Sequence, residues 1–272
     1  MTVPGTFDTS ARELIHAGLQ NLDEARSLFR QLSASGFDAA RCGLLLDALQ
    51  HVCDPDVALR NLVDIVNAQV SQGRALDDIM PDDTAFRQLV AVLGVSDAMG
   101  KLMRFRPDLV QAAATDHCNS HLYNHDQRRA HVLESVGADP NDRMSPTATM
   151  DLADAATALR RTYRNQLAAI IAQDTMSDDP IALQPRISSE LSDLADAALE
   201  GALAIARHEI TGSEHCRFAI IGMGKLGARE LNYVSDVDLS YVVEAADAGT
   251  SRQQLCSIGT RVGTVLQRVC AW

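Results

Sequence analysis

The sequence predicts a mainly α protein with a small α/β (α+β) unit at its C-terminal end. Three observations carry that reading. Apolar residues recur at helical spacing from about residue 10 to residue 211, and the period switches from helical to extended at Cys216 to Ile221. The stretch from Phe218 to Val243, FAIIGMGKLGARELNYVSDVDLSYVV, then reads as an apolar strand, a glycine turn, a short polar stretch and a second strand. The expected division is a helical region over residues 1–212, and the start of an α/β domain, incomplete, over residues 213–272.

The helices follow from periodicity and punctuation. Leu14, Gly18, Leu22, Ala25, Leu28, Phe29 and Leu32 share one helical face, and SASG (33–36) closes that helix with a glycine. A second helix runs from Phe37 to His51. A third starts at Asp54 as N-cap with Pro55 in the first helical position. Pro81-Asp82-Asp83, Ser96-Asp97 and Pro107-Asp108 mark further starts of the same kind. Gly, Pro, Asp, Ser and Thr concentrate over residues 137–149, which predicts the main internal loop. Two longer alanine-rich helices follow, Asp151 to Gln173 and Pro185 to His208, joined by a connector over 175–185. A last helix is expected from Ser251 to Cys270.

Composition narrows the function classes. Of 272 residues, 46% are hydrophobic, which excludes a disordered chain. The formal net charge of −12 argues against gripping duplex nucleic acid through its phosphates, so a nucleotide handled here is small or protein-linked. The six cysteines form no CxxC pair, and the first thirty residues lack a secretory pattern. A cytoplasmic location with no membrane partner is therefore expected, as no apolar run approaches the roughly 18 residues of a membrane span.

Two motifs overlap in the stretch from Phe218 to Val243. Gly222, Gly224 and Gly227 satisfy GxGxxG after a strand, with Glu244 at the distance of a ribose-binding acid, which is the entry to an NAD-binding Rossmann fold. That fold needs further βα units. The residues after Glu244 read as one helix, and those before Cys216 are helical. The other reading uses Asp236 and Asp238, which alternate on a strand from Asp236 to Val243 and so share a face, about 7 Å apart along the backbone. Two such carboxylates are hard oxygen ligands for Mg²⁺ held together with phosphates. The turn from Gly222 to Lys225 cradles phosphate on backbone N–H groups, and a short helix, about Leu226 to Leu231, leads on to the aspartates. The second reading is preferred.

At these residues the chain resembles the glutamine synthetase adenylyltransferase/adenylyl-removing enzyme family. GMGKLGARELNYVSDVDL is similar to that family's nucleotidyltransferase signature. Residues 92–110, 158–174 and 190–210 are similar to its helical segments, so the likeness covers most of the chain. The resemblance implies an N-terminal adenylyl-removing half, in which AMP is taken from a tyrosine of glutamine synthetase by phosphorolysis, while a C-terminal half adds it. It implies Mg²⁺ on Asp236 and Asp238, with Gly222, Gly224, Lys225 and Ser235 holding the adenine nucleotide or attacking phosphate. The implied partners are glutamine synthetase and a nitrogen-signalling regulatory protein. The family carries a third carboxylate on a later strand that this sequence does not reach, so a truncated form is expected. The apolar stripe of Val262, Val265, Leu266 and Val269 is then expected to leave helix surface uncovered. A non-catalytic helical docking module is the alternative.

Two other groups bear on function. His117, His121 and His125 stand at i, i+4 and i+8, a spacing that suits zinc, although three such residues drift around a helix and a polar segment is the preferred reading. Arg128, Arg129, Arg160, Arg161 and Arg164 could face a substrate's acidic surface, but a solvated face paired with nearby Asp is the preferred reading.

Overall fold

The structure, a computed structural model, describes residues 9–78, 80–114, 124–177 and 179–271. It divides into two compact units, Met1–Ser120 with Ala168–Pro180, and His121–Leu167 with Ile181–Trp272. The second unit groups the α/β segment with helices that precede it in sequence. The change of period at Cys216 is thus a change of secondary structure within that unit.

The first unit holds α1 (Ala11–His16), α2 (Leu22–Ala34), α3 (Ala39–Leu49), α4 (Pro55–Ser71), α5 (Asp83–Val95), α6 (Asp97–Met103) and α7 (Pro107–Ala114). Short polar side chains start them. Asp38 accepts from the Arg41 N–H at 2.9 Å, Asp54 from Val57 at 2.9 Å, Asp82 from Ala85 at 2.8 Å, and Ser96 from Met99 at 3.2 Å. Each cap satisfies one of the N–H groups that a helix start leaves open. The face expected as one helix over Leu14 to Leu32 is two, because Gly18 adopts a φ of +82° between α1 and α2. A Cβ there would also lie 3.1 Å from Pro55, so glycine answers both the turn and the close approach. Helix α5 is the centre of the unit, packing against α3, α4, α6 and α7. Phe86, Leu89, Val90 and Leu93 are fully buried in it.

The second unit is built from α8 (His125–Ser135), the first part of α9 (Leu152–Thr175), α10 (Pro180–Glu209), β1 (Cys216–Gly222), α11 (Gly224–Ala228), β2 (Leu239–Ala245) and α12 (Arg252–Cys270). Residues 137–149 are irregular, as their composition predicts. Helix α10 begins before the expected start at Pro185 and carries that proline inside it. At the sixth position Pro185 forfeits only one early backbone bond, which the long apolar face that follows outweighs. The strands β1 and β2 pair antiparallel, with Cys216 opposite Ala245 and Gly222 opposite Leu239. A dinucleotide fingerprint requires a parallel βαβ crossover, so this pairing removes the Rossmann reading.

Burial along the strands alternates. Cys216 and Phe218 face the core while Arg217, Ala219 and Ile221 face outward, and Tyr241 and Val243 face inward while Val242 is exposed. The apolar stripe of α12 is covered, contrary to expectation: Val262, Val265, Leu266 and Val269 are all buried in one cluster with Phe218, Leu203 and Leu159. Two glycines allow it. A Cβ on Gly259 would meet Val243 at 2.8 Å, and one on Gly263 would meet Tyr241 at 3.3 Å, so α12 lies close against the inner face of the sheet.

Arg128 and Arg129 are buried rather than solvated. Arg128 is 1% exposed and pairs with Glu190 while donating to Gln166 Oε1 at 2.7 Å. Arg129 forks onto Glu200 at 2.6 and 2.8 Å and donates to the carbonyls of Pro140 and Asp142 at 2.7 and 2.8 Å. Successive residues of α8 thus hold two points of α10 and the irregular segment between α8 and α9. Periodicity does not distinguish such arginines from surface ones, because their carboxylate partners lie 62 and 71 residues away.

Candidate functional site

The glycine turn sits where β1 ends. Gly222 is the last residue of the strand and Gly224 opens α11 with a φ of +54°. Gly227 is required by proximity, since a Cβ on it would stand 2.6 Å from the Gly222 carbonyl oxygen. The first helical bond is from the Gly227 N–H to Met223 O at 3.2 Å. The N–H groups of Gly224, Lys225 and Leu226 precede it and have no acceptor within the helix. Lys225 is exposed, and among the described residues no carboxylate pairs with its ammonium.

Asp236 and Asp238 lie just before β2 rather than on it, and α11 spans Gly224–Ala228, ahead of the expected Leu226 to Leu231. The ladder stops because β1 ends opposite Leu239 and its chain turns away into α11. One bond outlasts the ladder: the Met223 N–H donates to the Asp238 carbonyl at 2.9 Å. It fixes Asp238 beside the turn, and Asp238 Oδ2 is 3.6 Å from where a Cβ on Gly224 would be. Both aspartates are exposed, and among the described residues neither carboxylate has a hydrogen-bond or ion-pair partner. The structure therefore brings Gly222, Gly224 and Asp238 together. Ser235 closes the loop before them: its hydroxyl donates to Asn232 Oδ1 at 2.8 Å and accepts from the Asn232 N–H at 3.1 Å.

Sequence reasoning missed Arg229. It follows α11 with a φ of +59°, alone among described non-glycine residues in having a positive φ. A left-handed arginine carries strain unless contacts hold it. Here the guanidinium donates to Asp193 Oδ1 at 2.6 Å and Ser189 Oγ at 2.7 Å, tying the end of the glycine turn to α10. No short motif marks such a residue, because its partners lie 36 and 40 positions earlier.

Elsewhere a cavity of about 430 Å³ is lined by His215, Asp247, Thr250, Gln254 and Ser257. It opens at the far end of the hairpin, next to the Cys216–Ala245 pair, and so is separate from the glycine turn. The His215 Nδ1 contact at 2.7 Å, helped by Thr250 and the Gly249 N–H, holds the Asp247 carboxyl below the usual carboxylate range.

The chain is thus a mainly helical protein carrying a small antiparallel hairpin, with a glycine turn and two exposed aspartates at one end of it. Residues 86–270 match the family model described as glutamate-ammonia ligase adenylyltransferase, and the chain belongs to that family. It is 66% identical over 264 residues to the bifunctional glutamine synthetase adenylyltransferase/adenylyl-removing enzyme of Bifidobacterium longum strain NCC 2705, covering 97% of this chain and 24% of that protein. The protein of the same description from Cutibacterium acnes is 31% identical over 260 residues, covering 95% and 26%. That from Mycobacterium avium is 37% identical over 213 residues, covering 76% and 20%. The chain thus spans about a quarter of the length of the curated relatives it matches most fully. No solved structure matches it.

Proposed function

We propose that residues 213–272 begin a nucleotidyltransferase domain, and that the chain's role is Mg²⁺-dependent removal of AMP from a tyrosine of glutamine synthetase by phosphorolysis, in the cytoplasm. The observation that carries this reading is the seating of the Asp238 carboxylate beside Gly224, next to three backbone N–H groups before the first helical bond. Acceptor-only oxygens beside N–H donors serve two halves of one ligand, a divalent cation and the phosphate it accompanies. Family membership supports the same reading, since the relatives are described as adenylyltransferase and adenylyl-removing enzymes.

The donor set suits the metal. Asp236 and Asp238 are exposed carboxylates without a partner among the described residues, the hard oxygen type that Mg²⁺ prefers, and they would hold it. Bound there, the ion would offset negative charge on the phosphoryl oxygens. The turn at Gly222 and Gly224 positions phosphate oxygens on its N–H groups, and Lys225 adds a cation that no carboxylate among the described residues occupies. Ser235 keeps the loop that carries both aspartates in shape and so acts on the nucleotide through their placement. In the reaction an oxygen of inorganic phosphate attacks the AMP phosphorus in line, the bond to the tyrosyl oxygen breaks, and ADP forms while the tyrosine oxygen leaves with the bonding pair and is then protonated.

The test is release of ADP from adenylylated glutamine synthetase in the presence of Mg²⁺ and phosphate. The chain should turn over, and Asp238→Asn should lower the rate by about 10²-fold or more. Turnover that survives in Asp236→Asn and Asp238→Asn overturns the metal assignment. Binding of glutamine synthetase without turnover, under the same conditions, replaces catalysis by docking.

A further inference from the structure

We propose that His125, Asp193 and Asp196 form a binding site for one divalent transition metal of the zinc class, distinct from the glycine-turn site. One ring nitrogen of His125 and one oxygen of each aspartate all lie within 4.8 Å of one another. Ligand atoms about 2.0–2.2 Å from one tetrahedral ion stand roughly 3.4 Å apart, so side-chain closure of up to about 1.4 Å brings the three onto it. An imidazole in the set disfavours Mg²⁺ and Ca²⁺ and suits zinc, and two carboxylates match its charge.

The carboxylates of α10 show why this point differs from its neighbours. Glu190, Asp193, Asp196 and Glu200 follow one another along one side of the helix. Arg128 takes Glu190, Arg229 takes Asp193 and Arg129 takes Glu200. Asp196 feels the charge of Arg229 without bonding to it, and among the described residues neither a hydrogen bond nor an ion pair engages its half-buried carboxylate. What faces it is the His125 ring, whose ion-pair contact among the described residues is Nδ1 to Asp126 at 3.9 Å.

The frame around the three ligands is already built. Asn124 and Gln127 close a reciprocal cap at the start of α8, each bond 2.9 Å, which sets His125 at the first helical position. Arg128 and Arg129 hold that helix to α10 immediately beyond. Arg229 occupies Asp193 Oδ1, leaving Oδ2 for a metal and fixing the carboxylate's orientation, as an outer partner of a metal ligand does. Through Arg229 the same aspartate reaches the end of the glycine turn. An ion bound here braces α8 and α10 and steadies the turn without touching substrate.

The experiment uses the whole chain, stripped with chelator and titrated with Zn²⁺ by calorimetry, and with Co²⁺ by visible absorption. One equivalent should bind, the Co²⁺ spectrum should lack a thiolate charge-transfer band, and Zn²⁺ should raise the thermal midpoint. His125→Gln and Asp196→Asn should each weaken binding by at least about tenfold and abolish the midpoint shift. Asp196→Asn removes no observed hydrogen bond, so its circular dichroism should match the parent. Asp238→Asn should bind Zn²⁺ as the parent does. Absence of binding in the parent, parent-like affinity in both site variants, or a thiolate band overturns the proposal.

Discussion

The two compact units solve the problem of burial differently. In the first, the fully buried side chains of α4 and α5 are almost all apolar, and the aspartates work at the surface as helix caps. In the second, Arg128, Arg129 and Asp193 are themselves buried, each within a pair or fork that spans distant elements. Apolar contacts tolerate small shifts, whereas a forked guanidinium accepts only one placement of its carboxylate. Arginine–carboxylate pairs such as Arg60–Glu24 and Arg87–Asp47 also join elements of the first unit, but at its surface; in the unit that holds the glycine turn the guanidinium groups of Arg128 and Arg129 are buried. That is the expected arrangement where a loop must be kept in register with a carboxylate-bearing segment.

The comparison breaks most readily at Arg128. Arg128→Met leaves Glu190 and Gln166 facing each other without their cation, and should cost about 3–5 kcal/mol in chemical denaturation. Next comes Gly201→Ala in α10, where a Cβ would stand 2.7 Å from Val132 and 3.0 Å from Leu159. Overpacking of that kind should cost about 1–3 kcal/mol. In the first unit Asp54→Ala removes a cap and should cost about 1 kcal/mol, a smaller loss because the N–H it frees can reach water. A cap loss equal to the Arg128 loss would erase the contrast between the units.

The smallest effect is one of pH. N–H bonds from Ser145 and Met144 hold the Asp142 carboxyl below its ordinary range, in the segment that Arg129 grips. A depressed folded value means its contribution is present above the unfolded value of about 3.9 and is lost as pH falls through the folded one. Asp142→Asn should therefore flatten the stability profile only on the acid side, and leave it unchanged near neutrality relative to its own plateau.

Much of the fold was legible in the sequence because its signals are local. Asp54-Pro55, Asp82, Ser96 and the loop over 137–149 act through neighbours a few residues away, and so do the glycine turn and the alternation in β1. What escaped depends on distance. Gly18 breaks a helix whose apolar spacing continues across it, and part of the reason is Pro55, far along the chain. Arg128 and Arg129 resembled surface charge until α10 supplied their partners. The covered stripe of α12 depended on Gly259 and Gly263 admitting the sheet. Of the candidate site, the residue types and the pairing of glycine turn with aspartates were readable, but the aspartates precede β2 because the length of β1 ends the ladder. Arg229, held by Ser189 and Asp193, had no local signature at all.

The most direct test of the central claim is paramagnetic. In the isotope-labelled chain, substoichiometric Mn²⁺ with ADP should broaden the amide signals of Gly222 to Leu226 and Asp236 to Leu239 together, and excess Mg²⁺ should restore them. Asp238→Asn should leave those signals sharp. Broadening confined to His125 and α10, or broadening of the turn that persists in Asp238→Asn, would contradict the account.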